Sequence, residues 1–435
     1  MDNKIRGDWT KKASLLALVL ALSLTTWLPN LIIPLQASGD ALYYKGSQSI
    51  ICGTGPITGW PINDDSLGTT LGSFAPTLPI YLSSKAACIV GRLINIGEFK
   101  SILIIGIILT VLISYWASMA GGLGLRPSLL ISYGLATAPC SFSRLAHIHL
   151  SQLWAIMPCI TVCAVLIARD QYPSRHGKQI RVNGYYGAAL GLLSFTGQEY
   201  YAVFSTLCIV TCYTIGFTRE KKELNRPSLG IATEQKNKNN SSRTSQFLYT
   251  KVAGGYIVLM ALYLQSKQVL WGIPEWAHEA TNRHASEQFN YGFWPLNILT
   301  SPLINVHLKS LFTKNNLPIT ETPFMSSSGI LVIFALGISL ASWINSRRII
   351  SKSLEKENAI ILAYGGVLVA IIMIACIFAS AGGLGTLVAV LISPQVRALN
   401  RITPYFYCAA LVICSVKLDQ VITRARRSRK TTEQV

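Results

Sequence analysis

The sequence predicts an all-α polytopic membrane protein with about ten transmembrane helices. Three observations predict it: a mean hydropathy of +0.41, a charged fraction of only 13% over 435 residues, and apolar runs that recur along the chain. A soluble protein of this length carries more charge. A bilayer core needs roughly 20 apolar residues per helix, and mostly apolar segments lie near 13–33, 101–120, 128–142, 150–168, 184–198, 200–217, 252–266, 327–345, 359–379 and 402–418.

The first segment follows Lys4, Arg6, Lys11 and Lys12. Its apolar core is longer than the 7 to 15 residues of a cleaved signal, so it reads as an uncleaved first helix. If the helices alternate from a cytoplasmic N-terminus, the inside segments are 1–12, 121–127, 169–183, 218–251, 346–358 and 417–435. These hold 27 of the 38 Lys+Arg and 10 of the 19 Asp+Glu, a net of +17 out of +19. The basic excess is therefore a topology signal, with both termini cytoplasmic, and not a nucleic-acid site. A multi-pass membrane protein is expected.

The chain reads as one integral membrane domain, 1–435, because no soluble stretch is long enough to form its own core. The cytoplasmic loop 218–251 is polar, basic and poor in aromatics, which marks a flexible linker, and 419–435 is a basic tail. Two extracytoplasmic loops, 34–100 after the first helix and 271–326 after the seventh, carry Trp60, Trp271, Trp276 and Trp294 among prolines and tyrosines. Such composition suits ordered loops and interfacial helices, one of them at 78–94. The apolar run 384–394 is too short to cross and reads as re-entrant or interfacial, which keeps the basic tail inside. AGGLG occurs at 120–124 and 381–385, each time after an apolar helix, as expected of glycine C-caps.

Cys159 and Cys163, like Cys208 and Cys212, are four apart inside apolar helices, where a small soft side chain packs well. Cys52 and Cys88 both fall outside, where a disulfide is permitted. No metal-ligand spacing emerges, and a divalent-metal requirement stays open.

Polar residues that could carry chemistry gather at the outer boundary. Asp40 stands just beyond the first helix, with Tyr43 and Tyr44 behind it; a carboxylate at the mouth of a membrane cavity suits a general base or a metal ligand. SFSRLAHIHLSQLW places Arg144, His147 and His149 within six residues, and a guanidinium and an imidazole suit a phosphate. Glu199 occupies the outer turn before the sixth segment. Arg283, Glu287 and Tyr291 are spaced four apart on a short helical pattern. Arg397 and Arg401, again four apart, match a lipid phosphate or pyrophosphate.

GDALYY (39–44), GWPINDDSLGTTLGSFAP (59–76), SRLAHIHLSQLWAIMP (143–158), EYYAVF (199–204), NRHASEQFNYGFWPLNILTSP (282–302) and VRALNR (396–401) together resemble the GT-C class of polytopic membrane glycosyltransferases. The resemblance spans roughly residues 13–418 and implies a bacterial inner membrane. It implies a GT-C-like fold and transfer of a sugar, with inversion, from a polyprenyl-phosphate carrier to a glycan, lipid or protein acceptor at the extracytoplasmic face. Asp40 takes the role of the base that activates the acceptor. Arg144, His147, Arg397 and Arg401 then face the donor phosphate, and Tyr44, His149, Glu199, Arg283, Glu287 and Tyr291 the substrates. Two positions depart from the class: Asp40 is followed by Ala41 where paired acids are common, and Ala146 stands where the group has glycine before its histidine. Neither a Rossmann glycine fingerprint nor a P-loop is present, which favours a lipid-linked donor over a nucleotide sugar. Two alternatives remain: an O-antigen-type polymerase or ligase centred on Arg283 and His284, and a lipid or sugar flippase.

Overall fold

A computed structural model describes residues 2–32, 78–93, 95, 98–139, 153–168, 199–224, 327–346, 352–380, 383–391 and 402–432. Among them every regular element is helical: α1 (Asp2–Ile32), α2 (Leu78–Leu93), α3 (Glu98–Ala120), α4 (Leu125–Ala136), α5 (Ile156–Ala168), α6 (Glu199–Leu224), α7 (Ser327–Ser346), α8 (Lys352–Ile374), α9 (Leu384–Leu391) and α10 (Thr403–Thr432). Four stretches are long and apolar enough to cross a membrane, Thr10–Pro29, Lys100–Ala120, Asn358–Ala379 and Thr403–Arg426. The described residues are those of an all-α membrane protein. The expected helices at 184–198 and 252–266, and most of the loops 34–100 and 271–326, lie outside the described residues.

Helix ends follow local chemistry. The α3–α4 turn is a Schellman motif: Leu123 N–H donates to Ser118 O at 3.1 Å and Gly122 N–H to Met119 O at 3.0 Å. Gly122 sits at φ 78, the left-handed geometry that glycine adopts without cost. The first AGGLG is thus the C-cap its sequence predicts. The second works differently. Beyond Ile374, α8 widens into a π turn, Ala375–Ala379, and Ser380 leaves it extended. A Cβ on Gly383 would lie 2.6 Å from the Ile377 carbonyl oxygen, so this glycine permits a close backbone approach and not a left-handed cap. α9, eight residues long, spans only about 12 Å and does not cross, as 384–394 predicts. α4 and α5 are shorter than their apolar segments, at 12 and 13 residues. Pro139 follows the end of α4 and disfavours helix in the residue before it.

α5 is apolar on every face and all of its residues are buried, which makes it the axis of the core. α3, α6, α8 and α10 pack around it. Cys159, Cys163, Cys208 and Cys212 are fully buried free thiols in this core, the packing role their spacing predicts. α1 joins the edge through a smaller cluster in which Trp27, Ile102, Ile107 and Val111 are buried.

Side-chain contacts fix helix directions. α4 and α10 run antiparallel, since Tyr407 Oη donates to Gly134 O at 3.1 Å while Arg126 and Asp419 pair at 3.4 Å at the far end. That ion pair is largely exposed and contributes about 0–1 kcal/mol. α5 and α6 run parallel to α10: Met157 near the start of α5 meets Cys408, and Tyr201 near the start of α6 meets Tyr405. α7 also runs with α10, as Leu331 O accepts from Cys414 near its beginning and Asn345 lies near Lys417 and Arg424 at its end. The chain therefore returns to the opposite end of the bundle between α5 and α6 and again between α6 and α7. Lys11, Lys12, Arg126, Lys417 and Arg424 belong to the segments that the charge bias assigns to one side.

Gly383→Ala is expected to lower stability by about 1–3 kcal/mol, because the new Cβ must displace a carbonyl. Gly337→Ala, where a Cβ meets nothing within 4 Å, should raise it by up to about 1 kcal/mol through helix propensity. Thermal unfolding in detergent measures both; equal effects would contradict the close approach at Gly383.

Candidate functional site

Of the candidate site residues only Glu199 falls among the described ones, as the first residue of α6. Asp40, Tyr44, Arg144, His147, His149, Arg283, Glu287, Tyr291, Arg397 and Arg401 lie outside them. The structure does place the helix ends from which these segments depart. α1 leads toward Asp40, α4 toward Arg144, and α10 begins two residues after Arg401.

Those ends are tied together by hydrogen bonds in apolar surroundings. Trp27, 1% exposed, donates its indole N–H to Ala136 O at 2.7 Å, joining the last turns of α1 and α4. Thr26 Oγ1 and Tyr133 Oη lie 3.3 Å apart beside it. Tyr407 joins α10 to the same end of α4. Tyr405, 1% exposed, donates to Tyr201 O at 2.8 Å and lies 2.7 Å from Ser205 Oγ, joining the first turns of α10 and α6. Its ring packs edge-on against Tyr201 and Phe204, with centroids 6.2 and 6.3 Å away. Cys159 adds α5 through a thiol contact to Ser205 O at 4.0 Å.

A buried indole or phenol carries a donor that must be satisfied, more so where no water competes. Each tie therefore specifies which helix lies next to which. The result is one end of the bundle where α1, α4, α5, α6 and α10 meet, opposite the end carrying the Arg126–Asp419 pair. Trp154 and Leu153, which close the stretch containing Arg144, His147 and His149, are buried in the core beside this end. Sequence reasoning passed over Trp27, Tyr405 and Tyr407. The signal was present, since each puts a polar atom inside an apolar helix, where it needs a partner.

No protein-family model, curated protein or solved structure matches the chain.

On α2, Cys88 is 4% exposed and disulfide-bonded. Cys159, Cys163, Cys208, Cys212, Cys376, Cys408 and Cys414 are free thiols, so its partner is not among them. Cys52 lies outside the described residues. A persistent disulfide belongs to an oxidising compartment, in keeping with the extracytoplasmic reading of 34–100. Among the described residues no cluster of His, Cys, Asp and Glu has metal-binding geometry.

Tyr405→Phe keeps the ring and removes the ties to Tyr201 and Ser205. It is expected to lower stability by about 1–3 kcal/mol, the cost of leaving a buried partner unsatisfied, in thermal unfolding of the purified protein. An unchanged unfolding temperature would mean that α6 and α10 are not held by this hydroxyl.

Proposed function

We propose that this protein is a membrane glycosyltransferase that moves a sugar from a polyprenyl-phosphate carrier to an acceptor at the extracytoplasmic face. The observation that carries the reading is the set of ties from the buried Trp27 and Tyr405 and the part-buried Tyr407, which draws the helix ends flanking Asp40, Arg144, Glu199 and Arg401 to one end of the bundle. The disulfide at Cys88 supports the external face for the first loop. The cytoplasmic placement of the termini rests on the charge bias, and the location in a bacterial inner membrane on the resemblance to the GT-C class.

In this mechanism the Asp40 carboxylate takes the proton of an acceptor hydroxyl as its oxygen attacks the anomeric carbon. The bond from that carbon to the carrier phosphate breaks with inversion, and the electron pair leaves on phosphate oxygen. Arg144, His147, Arg397 and Arg401 stabilise the charge that develops there, where preorganised cations and donors have most effect. Tyr44, His149, Glu199, Arg283, Glu287 and Tyr291 orient sugar and acceptor.

Asp40→Asn is expected to keep expression and membrane insertion while reducing transfer from lipid-linked sugar by at least about 100-fold, the lower bound for loss of a general base. Membranes supplied with polyprenyl-linked sugar and scored for carrier-phosphate release measure it. Full activity in Asp40→Asn, together with loss in Arg283→Gln, would favour the polymerase reading.

A further inference from the structure

A second feature stands at the other end of the bundle. A cavity of about 490 Å³ opens between α7, the start of α8 and the second half of α10. Its polar part is formed by Lys417 and Arg424 from α10, Asn345 from α7 and Asn358 from α8. Lys417 and Arg424 are seven residues apart, two turns along one face of the helix. Neither forms an ion pair among the described residues; the nearby carboxylate of Asp419 engages Arg126.

Asn358 is 7% exposed, lines the cavity and makes no side-chain hydrogen bond among the described residues. Ser342, 4% exposed, lines the cavity as well. The Asn358 amide opens onto the cavity, which it shares with two cations that form no ion pair among the described residues. The other end of the groove is apolar, lined by Ile333, Phe334, Gly337 and Ile338. From Asn345 to Ile333 the groove runs about 18 Å along the helix axis. At its apolar end, Ile333 and Phe334 are 49% and 65% exposed.

We propose that this cavity binds an anionic phospholipid from the leaflet at the basic end of the bundle. Its phosphate sits on Lys417 and Arg424, the amides of Asn358 and Asn345 donate to phosphate or ester oxygens, and an acyl chain follows Ile333 and Phe334 into the bilayer. Charge complementarity selects the anion, since basic pockets between membrane helices attract anionic headgroups. The long apolar floor selects a lipid over a free phosphate, which would occupy only the polar mouth. Gly337 keeps that floor open: a Cβ there meets nothing within 4 Å.

Native mass spectrometry of the purified full chain, incubated with phosphatidylglycerol, phosphatidylethanolamine or inorganic phosphate, tests the site. The protein is expected to retain phosphatidylglycerol at least fivefold over phosphatidylethanolamine, and to retain no phosphate. Lys417→Gln with Arg424→Gln should abolish the preference. Gly337→Leu should lower phosphatidylglycerol retention at least fivefold with both cations intact, because its side chain extends into the groove from a position where a Cβ meets nothing within 4 Å. Arg426→Gln with Arg429→Gln, on the same tail, should leave the preference unchanged. The proposal is overturned if phosphate alone is retained as well as the lipid, if Gly337→Leu retains the lipid normally, or if the tail variant loses the preference as fully as the cavity variant.

Discussion

The arrangement depends on one requirement, that a polar group inside an apolar bundle finds a partner. The Tyr405 hydroxyl meets it by reaching Tyr201 O and Ser205 Oγ, and in doing so sets α10 beside α6. Lipid tails are as apolar as leucine, so burial alone does not tell a membrane helix which neighbour to choose. Directional bonds from Trp27, Tyr405 and Tyr407 make that choice. Close approaches reinforce them: Gly134 would bring a Cβ within 2.7 Å of Leu411, and Gly366 within 3.1 Å of Ile167.

The two ends of the bundle are consequently different in chemistry. One gathers helix termini leading to segments rich in Asp, Arg, His and Tyr, held by buried aromatic donors. The other carries the Arg126–Asp419 pair, the basic second half of α10 and a cavity whose cations form no ion pair among the described residues. If both proposals hold, a lipid-linked donor and a bound phospholipid would use different groups of the protein.

Much of this architecture was legible in the residues. The apolar segments at 13–33, 101–120, 200–217, 327–345, 359–379 and 402–418 became α1, α3, α6, α7, α8 and α10, because transfer of an apolar run out of water is read directly from composition. The Schellman turn at Gly122 was legible for the same kind of local reason. The π turn at Ala375–Ala379 and the tight approach at Gly383 were not, since they arise from packing between distant parts of the chain. Hydropathy also hides which faces meet, so the ties from Trp27 and Tyr405 and the cavity around Asn358 needed coordinates. Lys417 and Arg424 contributed to a topology signal in the sequence; only their position beside Asn345 and Asn358 makes them the polar part of a cavity. Of the candidate site, the structure adds the start of α6 at Glu199 and the placement of the flanking helices.

The central claim is that the segment after α1 and the segment before α10 share one pocket. Pulsed electron paramagnetic resonance between spin labels at positions 40 and 401, in bilayer nanodiscs, tests it most directly. Neighbouring helices pack 8–10 Å apart, so labels in one pocket should give a narrow distribution below about 20 Å. A distribution centred beyond about 30 Å, wider than three packed helices, would place the two groups on opposite sides of the bundle and contradict the account.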